Sequence, residues 1–109
     1  MTTGAPPARL DLVYATWCPH CVPLSLEKGR ALAAKLHVPM RTLDIDVPAE
    51  ERAADELVLA HGDWTADYLV PQAFLVFSDG RVEHLLTGIP GPVDGTRRAW
   101  DELLRRSTW

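Results

Sequence analysis

Apolar and polar residues divide the chain into alternating strand and helix segments. Residues 9–15, RLDLVYA, are rich in β-forming side chains and lie between a Pro-Pro pair and a turn, which predicts a mostly buried strand. Residues 19–37 are good helix formers, and their apolar side chains recur at a spacing that places them on one helix face. Pro23 should remove a hydrogen bond and bend the beginning of this helix.

The middle of the chain predicts a second strand, a second helix and then a loop. Residues 40–47, MRTLDIDV, alternate between apolar and polar side chains and are interpreted as a strand. Asp46 can cap a helix that has Pro48 in its first turn and ends at Gly62. The segment 63–70 that follows is predicted to be a loop or an irregular turn.

The last third of the chain predicts a hairpin and a terminal helix. QAFLVF at 72–77 is short and apolar, which is typical of a central strand. SDG at 78–80 is a hairpin turn signal, and RVEHLL at 81–86 is predicted to return as the partner strand. TGIPGP at 87–92 interrupts the pattern. An amphipathic helix is then predicted over 94–106, with one apolar stripe made of Ala99, Trp100, Leu103 and Leu104.

The predicted element order is β-α-β-α-β-β-α, which indicates an α/β fold. Two βαβ crossings predict parallel pairing, while the SDG turn predicts one antiparallel pair. We therefore expect a three-layer α/β/α arrangement, in which helices cover both faces of a four-stranded mixed sheet. A length of 109 residues is the size of one compact domain. Residues 1–8 are predicted to be a flexible N-terminal arm and residues 9–109 a single domain.

Composition narrows the classes of partner. Hydrophobic residues make up 47% of the chain and charged residues 24%, as in ordinary globular proteins. The net charge of −4 argues against electrostatic binding to nucleic acid or to an anionic membrane, since both need clustered Lys and Arg. The N-terminus has no pattern of a secretory signal, and no segment approaches the roughly 20 apolar residues of a membrane span. We expect a cytoplasmic monomer without a cofactor, whose partners are proteins or small molecules.

Both cysteines of the chain lie in WCPHC, between the first predicted strand and the first predicted helix. Cys18 and Cys21 could be a redox pair, part of a metal site or two buried thiols, since a structural disulfide is not expected in a reducing compartment. Free amides at a helix start favour a thiolate, and such cysteines titrate at roughly 3.5 to 7.5 instead of about 8.5. Cys21, one helical turn later, is within disulfide reach of Cys18 and is assigned the buried, resolving role.

The two residues between the cysteines modify this chemistry. Pro19 can occupy the first helical turn without losing a hydrogen bond, and it stiffens the turn. A protonated His20 imidazole beside Cys18 would stabilise the thiolate and make Cys18 a better leaving group. Stabilising the reduced form makes the disulfide form a stronger oxidant, so we expect a comparatively oxidising pair.

These motifs together resemble the thioredoxin-fold superfamily. The resemblance rests on WCPHC at a strand-to-helix turn, Val70-Pro71 before the third predicted strand, the SDG hairpin and Gly88, and it covers nearly all of residues 9–106. It implies a proline at position 71 that is cis and lies against the cysteine pair. It also implies that the backbone of Val70 binds an extended substrate and that substrates rest on the loop Thr87-Gly88-Ile89. Trp17 is interpreted either as a substrate contact or as surface packing over the turn.

The subfamily is less sharply defined by the resemblance. Thioredoxins have Gly-Pro between the cysteines and a buried acid six residues before the first one, where this chain has Leu12. Asp11 should face the other side of the strand. Glutaredoxins have Pro-Tyr, a threonine before the cis-proline and an acidic grip on glutathione, which Val70 and the sequence TGIPGPVDG do not match. Pro-His and the valine resemble bacterial periplasmic disulfide oxidants, although those carry an inserted helical domain and a leader that we do not expect here.

The functional hypothesis is a thioredoxin- or glutaredoxin-like thiol-disulfide oxidoreductase that works in electron transport. Its partners would be protein disulfide substrates and a thiol or reductase as electron donor. Two alternatives remain at this point: a two-thiolate carrier of Cu(I) or Zn²⁺, and a non-catalytic binding module with the same fold. A closed zinc site needs four ligands, and the sequence has no second Cys or Cys-His cluster, so we expect no resident metal site.

Overall fold

In the computed structural model, which describes residues 4–109, four strands and three helices follow the predicted order. The strands are β1 (Pro7–Tyr14), β2 (Met40–Asp44), β3 (Gln72–Phe77) and β4 (Val82–Thr87), and the helices are α1 (Leu26–Leu36), α2 (Pro48–His61) and α3 (Val93–Arg105). Residues 1–3 of the expected N-terminal arm lie outside the described part of the chain. Within residues 4–109, none of the helices has the length and apolarity required to cross a membrane.

The strands form one mixed sheet in the order β2-β1-β3-β4. β1 and β2 are parallel, with Leu12 opposite Thr42, while β3 is antiparallel to both β1 and β4. The predicted α/β class, the four-stranded mixed sheet and the element order are therefore confirmed. The arrangement is thioredoxin-like.

The prediction of parallel pairing at both βαβ crossings is wrong for the second one. β3 is antiparallel to β1, and its first residue, Gln72, lies opposite Val13 near the end of β1. The cause is the irregular segment 62–71, which brings the chain from the end of α2 to the sheet edge where β1 ends. As a consequence, the residues just before β3 lie beside the cysteine turn that follows β1.

The prediction of a helix that begins at the cysteines is also wrong. An irregular π-type turn spans Cys21–Ser25, and the regular helix α1 begins only at Leu26. Within that turn Val22 has extended backbone angles, φ −123° and ψ 123°. A residue that precedes a proline is disfavoured in helical geometry, so Pro23 keeps Val22 out of the helix. Cys18 therefore precedes an irregular turn, and the predicted effect of a regular helix dipole on its thiol loses its geometric basis.

Two hydrophobic clusters lie on opposite faces of the sheet. The cluster under α1 and α3 is formed mainly by Leu10, Leu12, Leu32, Leu75 and Trp100. The cluster under α2 is formed mainly by Val13, Leu43, Leu57, Val58 and Phe74. Fully burying a side chain of this size contributes about 1.5 to 3 kcal/mol, so each cluster is a substantial source of stability. Helices thus cover both faces, as predicted for a three-layer fold.

Asp11 is a fully buried acid on β1. It alternates with Leu10 and Leu12, which face α1 and α3, so it faces the other side of the strand, as expected. Arg9 and Arg41 both donate to its carboxylate, with N···O distances between 2.6 and 3.1 Å. Since Arg41 belongs to β2, the charge of Asp11 is compensated by a link between neighbouring strands.

Candidate functional site

The cysteine turn begins directly after β1 and is closed by its own backbone. The Cys18 amide donates to the Ala15 carbonyl at 3.2 Å, and the amides of Cys21 and Val22 donate to the Cys18 carbonyl at 3.0 and 3.1 Å. These bonds fold the four residues into a compact turn. Both cysteines are free thiols: Cys18 is 7% exposed, whereas Cys21 is fully buried.

Burial changes the acidity of the Cys21 thiol. It raises the pKa of Cys21, because a buried thiolate loses its hydration. A hydrogen bond with Cys18 and the negative charge that Cys18 can carry raise the pKa of Cys21 further, while a hydrogen bond with the Ala15 backbone lowers it in part. Cys21 therefore stays a protonated thiol while Cys18 is reduced. This matches the chemistry expected of a resolving cysteine.

Val70 and Pro71 lie against the cysteine turn. The Cys18 thiol is directed at the Val70 carbonyl, with Sγ and O 3.8 Å apart, and Val70 packs against the cluster formed by Ala15 and the two cysteines. The Val70–Pro71 peptide is cis, as the resemblance implies. In residues 4–109 the Val70 amide has no hydrogen-bond partner. A donor beside Cys18 is thus free to bind an extended peptide.

Gly88 approaches the same point from the end of β4. Its amide donates to the Pro71 carbonyl at 2.8 Å. A Cβ atom at position 88 would lie 2.6 Å from Pro71 Cδ and 3.0 Å from the Val70 carbonyl oxygen. The close approach of two backbones therefore requires glycine here, and it brings the loop after β4 to the wall of the cysteine site.

Gln72 holds the segment before β3 in place. This side chain is fully buried. Its amide nitrogen donates to the carbonyls of Asp63 and Leu69 at 3.0 and 2.9 Å, and its oxygen accepts the Asp63 amide at 3.0 Å. Since Leu69 precedes Val70, these bonds fix the position of the residue that faces Cys18. The sequence reasoning missed Gln72, although one polar residue opening an apolar strand directly after Pro71 is a usable signal.

Trp17 lies on the surface beside Cys18. It is 63% exposed, and its indole donates to the Asp46 carboxylate at 2.9 Å, across the gap between the cysteine turn and the loop after β2. Leu69 and Ile89, neighbours in sequence of Val70 and Gly88, are also large exposed apolar side chains. Pro19 is exposed within the turn itself. The cysteine turn is thus bordered by apolar surface.

His20 is directed at the N-terminal end of α3. Its Nδ1 lies 2.7 Å from the Thr96 hydroxyl, and its Nε2 lies 2.9 Å from the Gly91 carbonyl oxygen. Among residues 4–109, no hydrogen bond joins the imidazole to either sulfur. Both ring nitrogens are thus engaged by Thr96 and Gly91, and an effect of His20 on the Cys18 thiolate stays a prediction. Thr96 was missed, although its position one helical turn before Trp100 on the predicted apolar stripe marks it as an inward-facing polar residue.

No other cluster of ligating side chains accompanies the cysteines. Within the described residues, no group of three or more His, Cys, Asp and Glu side chains is arranged to hold a metal ion. Every buried side-chain nitrogen or oxygen in this part of the chain has a hydrogen-bond partner.

The fold and the site together define a thioredoxin-like domain with a CxxC pair at the end of its first strand. No family model matches the sequence, and no curated protein matches it. One similar solved structure is the crystal structure of the Neisseria meningitidis DsbD C-terminal domain in the reduced form. The sequences are 20% identical, the TM-score is 0.44, and the match covers 90% of this chain and 81% of that chain. This similarity is too distant to indicate what the present chain does.

Proposed function

We propose that this protein is a thiol-disulfide oxidoreductase, a small thioredoxin- or glutaredoxin-like protein with a Cys-Pro-His-Cys active site. One observation carries the proposal: the second thiol of the pair is fully buried and is kept protonated by that burial, while the first retains some exposure. Cys21 is fully buried and its pKa is raised by that burial, whereas Cys18, beside Val70, keeps 7% of its surface exposed. In such a pair, Cys18 is the nucleophile that attacks the substrate disulfide, and Cys21 is the resolving thiol that reacts in the second step.

In the first step, the Cys18 thiolate attacks one sulfur of a substrate disulfide. A new bond forms between Cys18 Sγ and that sulfur, the substrate S–S bond breaks, and the other substrate sulfur leaves as a thiolate. The free amide of Val70 would bind the substrate backbone beside the reacting sulfur. The exposed side chains of Trp17, Leu69 and Ile89 would contact the flanking residues of a protein substrate.

In the second step, Cys21 attacks Cys18 Sγ and releases the substrate sulfur as a second thiolate. The enzyme dithiol is oxidised to the Cys18–Cys21 disulfide, and the substrate disulfide is reduced to two thiols. The first step prepares the second, because once Cys18 is bonded to substrate it no longer holds a charge or a hydrogen bond that raises the pKa of Cys21. The Cys21 proton leaves with the departing thiolate or to water.

The cycle runs in either direction with a suitable partner. A thiol or a dithiol reductase would return the pair to the reduced state, and an oxidised partner would drive the reverse reaction. The Pro-His dipeptide favours an oxidising couple on sequence grounds. In the geometry described above, His20 makes no hydrogen bond to Cys18, so the proposal assigns the imidazole no direct part in stabilising the thiolate.

A redox titration tests the proposal. The protein is equilibrated with mixtures of reduced and oxidised glutathione, trapped with iodoacetamide and weighed by mass spectrometry. We expect Cys18 and Cys21 to lose their reactivity together and reversibly, as one intramolecular disulfide. A pair of thiols that stays alkylatable across the whole range of mixtures would contradict the proposal and leave a binding module or a metal carrier.

A further inference from the structure

Three atoms of His20, namely both ring nitrogens and the backbone carbonyl oxygen, make hydrogen bonds on the side of the turn where α3 packs. Its Nδ1 is 2.7 Å from the Thr96 hydroxyl, and its Nε2 is 2.9 Å from the carbonyl oxygen of Gly91, just before the helix. Its backbone carbonyl accepts the Ser25 hydroxyl at 2.6 Å, and Ser25 in turn accepts the Trp100 indole N–H at 2.8 Å. Thr96 and Trp100 are one helical turn apart, so one face of α3 fixes both the side chain and the backbone of His20.

The partners of the imidazole define its tautomer. The Gly91 carbonyl can only accept, so Nε2 carries the hydrogen of the neutral ring and donates it. Nδ1 is then an acceptor, and the Thr96 hydroxyl donates to it. The same hydroxyl oxygen accepts the Ile89 amide at 2.9 Å. Because Thr96 is fully buried, water does not replace its hydroxyl at Nδ1, whereas the bond from Nε2 to Gly91 lies at the surface.

Thr96 therefore joins two segments that border Cys18. Through the Ile89 amide it fixes the loop after β4, and through His20, which also donates to the Gly91 carbonyl, it fixes the turn between the cysteines. The loop after β4 also carries the exposed side chain of Ile89 and the Gly88 amide that donates to Pro71.

We propose that Thr96 is a positioning residue, whose buried hydroxyl donates to Nδ1 of the Nε2–H imidazole of His20 and accepts the Ile89 amide, and so holds the loop Gly88–Gly91 in the position that an extended peptide disulfide requires. The inference rests on the proposed oxidoreductase function and adds to it a determinant of substrate binding. Thr96 touches no reacting atom. Loss of the Thr96 hydroxyl should therefore weaken the binding of peptide substrates and leave the rate of thiol-disulfide exchange unchanged.

The test compares Thr96→Val, Thr96→Ser and the control Thr42→Val, which removes a hydroxyl from β2 away from the site. Two substrates are used: a small aromatic disulfide that needs no groove, and a disulfide-bonded peptide of about ten residues. Thr96→Val leaves the Ile89 amide without its acceptor, and an unpaired donor of this kind costs enough free energy to change a binding equilibrium roughly tenfold. For Thr96→Val we expect the KM for the peptide to rise about tenfold with kcat changed less than twofold, and an unchanged rate with the small disulfide. Thr96→Ser should restore the KM, and Thr42→Val should behave as wild type.

Nitrogen-15 NMR of His20 supplies a measurement that does not depend on turnover. The reduced wild-type protein should show the Nε2–H tautomer alone, with the Nδ1 resonance shifted by the hydrogen bond that it accepts from Thr96, and Thr96→Val should lose that shift. An Nδ1–H tautomer in the wild type would overturn the inference, even if Thr96→Val failed to fold. A folded Thr96→Val with an unchanged peptide KM, or a folded Thr96→Ser that restores nothing, would also overturn it. Wild-type protein that reacts with neither disulfide would refute the proposed function. The NMR measurement on His20 would still decide whether Thr96 positions the imidazole.

Discussion

The Cys18 sulfur lies 3.8 Å from the carbonyl oxygen of Val70, a residue 52 positions further along the chain. The contact exists because β3 runs antiparallel to β1 and begins beside the end of that strand. Gln72 at the start of β3 is bonded to Leu69, and Gly88 is bonded to Pro71, so both flanks of Val70 are fixed. The wall opposite the cysteine turn is therefore held by the sheet, whatever binds between them.

Replacing one cysteine at a time should separate the attacking sulfur from the resolving sulfur. With Cys21→Ser we expect a mixed disulfide between Cys18 and a peptide disulfide to accumulate, because no second thiol displaces the bound half of the peptide. With Cys18→Ser we expect no adduct, since Cys21 is fully buried. Non-reducing mass spectrometry measures both. Equal adducts on the two variants would contradict the assignment of roles.

The stability of the reduced protein should fall in mildly alkaline solution. Burial raises the pKa of Cys21, so the folded chain keeps that proton to higher pH than the unfolded chain, where a cysteine ionises near about 8.5. Above that pH the unfolded state binds fewer protons, and the free energy of unfolding should decrease by about 1.4 kcal/mol per pH unit. The contribution of the protonated Cys21 thiol to the free energy of unfolding is fully present below about pH 8.5, and it is lost as the pH rises toward the raised pKa of the folded state.

Urea unfolding of the reduced protein between pH 7 and about 9.5 measures this slope, below the range where unfolded tyrosines ionise. Cys21→Ala is the control, because it removes the titrating thiol. We expect the alkaline slope to be shallower in that variant by the amount given above. An identical slope in Cys21→Ala and wild type would show that Cys21 is not its source.

Gly88→Ala should damage both the fold and the binding of peptides. The new Cβ would lie 2.6 Å from Pro71 Cδ, so the proline or the loop has to move. Forced overpacking of this kind costs about 1 to 3 kcal/mol of unfolding free energy. We expect the rate with a peptide disulfide to fall, as measured by steady-state kinetics. Gly80→Asn is a suitable control: a Cβ at position 80 would meet nothing within 4 Å, and asparagine tolerates the positive φ there. Equal losses in both variants would argue against a specific contact with Pro71.

Asp11→Asn should destabilise the protein without changing its redox chemistry. Removing one partner of a fully buried ion pair costs about 3 to 5 kcal/mol, but Arg9 and Arg41 are 38% and 40% exposed, so water compensates part of the loss. We expect about 1 to 3 kcal/mol by urea unfolding. The exposed pair of Glu102 and Arg105 provides the comparison, and Glu102→Gln should cost less than about 0.5 kcal/mol. A loss in Asp11→Asn no larger than in Glu102→Gln would refute the structural role of Asp11.

The predictable part of this protein is the part that repeats a pattern over several residues. The apolar run of β3, the SDG turn and the stripe on α3 each involve many positions, and one unusual residue does not change the result. The direction of β3 depended instead on the path of residues 62–71, which no periodicity describes. The beginning of α1 depended on Pro23 alone, because a proline excludes its predecessor from the helix however favourable the surrounding composition is.

The candidate site divides in the same way. Adjacent positions in WCPHC made the cysteine pair visible. Burial of Cys21 was expected from a place inside a helix, and Cys21 is buried although it lies in the irregular turn before α1. The orientation of His20 could not be expected, because its partner Thr96 is 76 positions away and belongs to a helix that packs against the turn from the other side. Proximity along the chain predicted an imidazole beside Cys18, whereas its hydrogen-bond partners are Thr96 on α3 and Gly91 just before that helix.

Two hydrogen bonds, from Trp100 to Ser25 and from Ser25 to the carbonyl of His20, link the cysteine turn to α3. Transplanting the WCPHC segment onto another strand-turn-helix scaffold would leave that carbonyl and the imidazole without their partners. The smallest segment that keeps the structure of the cysteine turn therefore includes α3 as well as the WCPHC motif. A truncation that removes α3 would disturb the cysteine turn near the other end of the sequence.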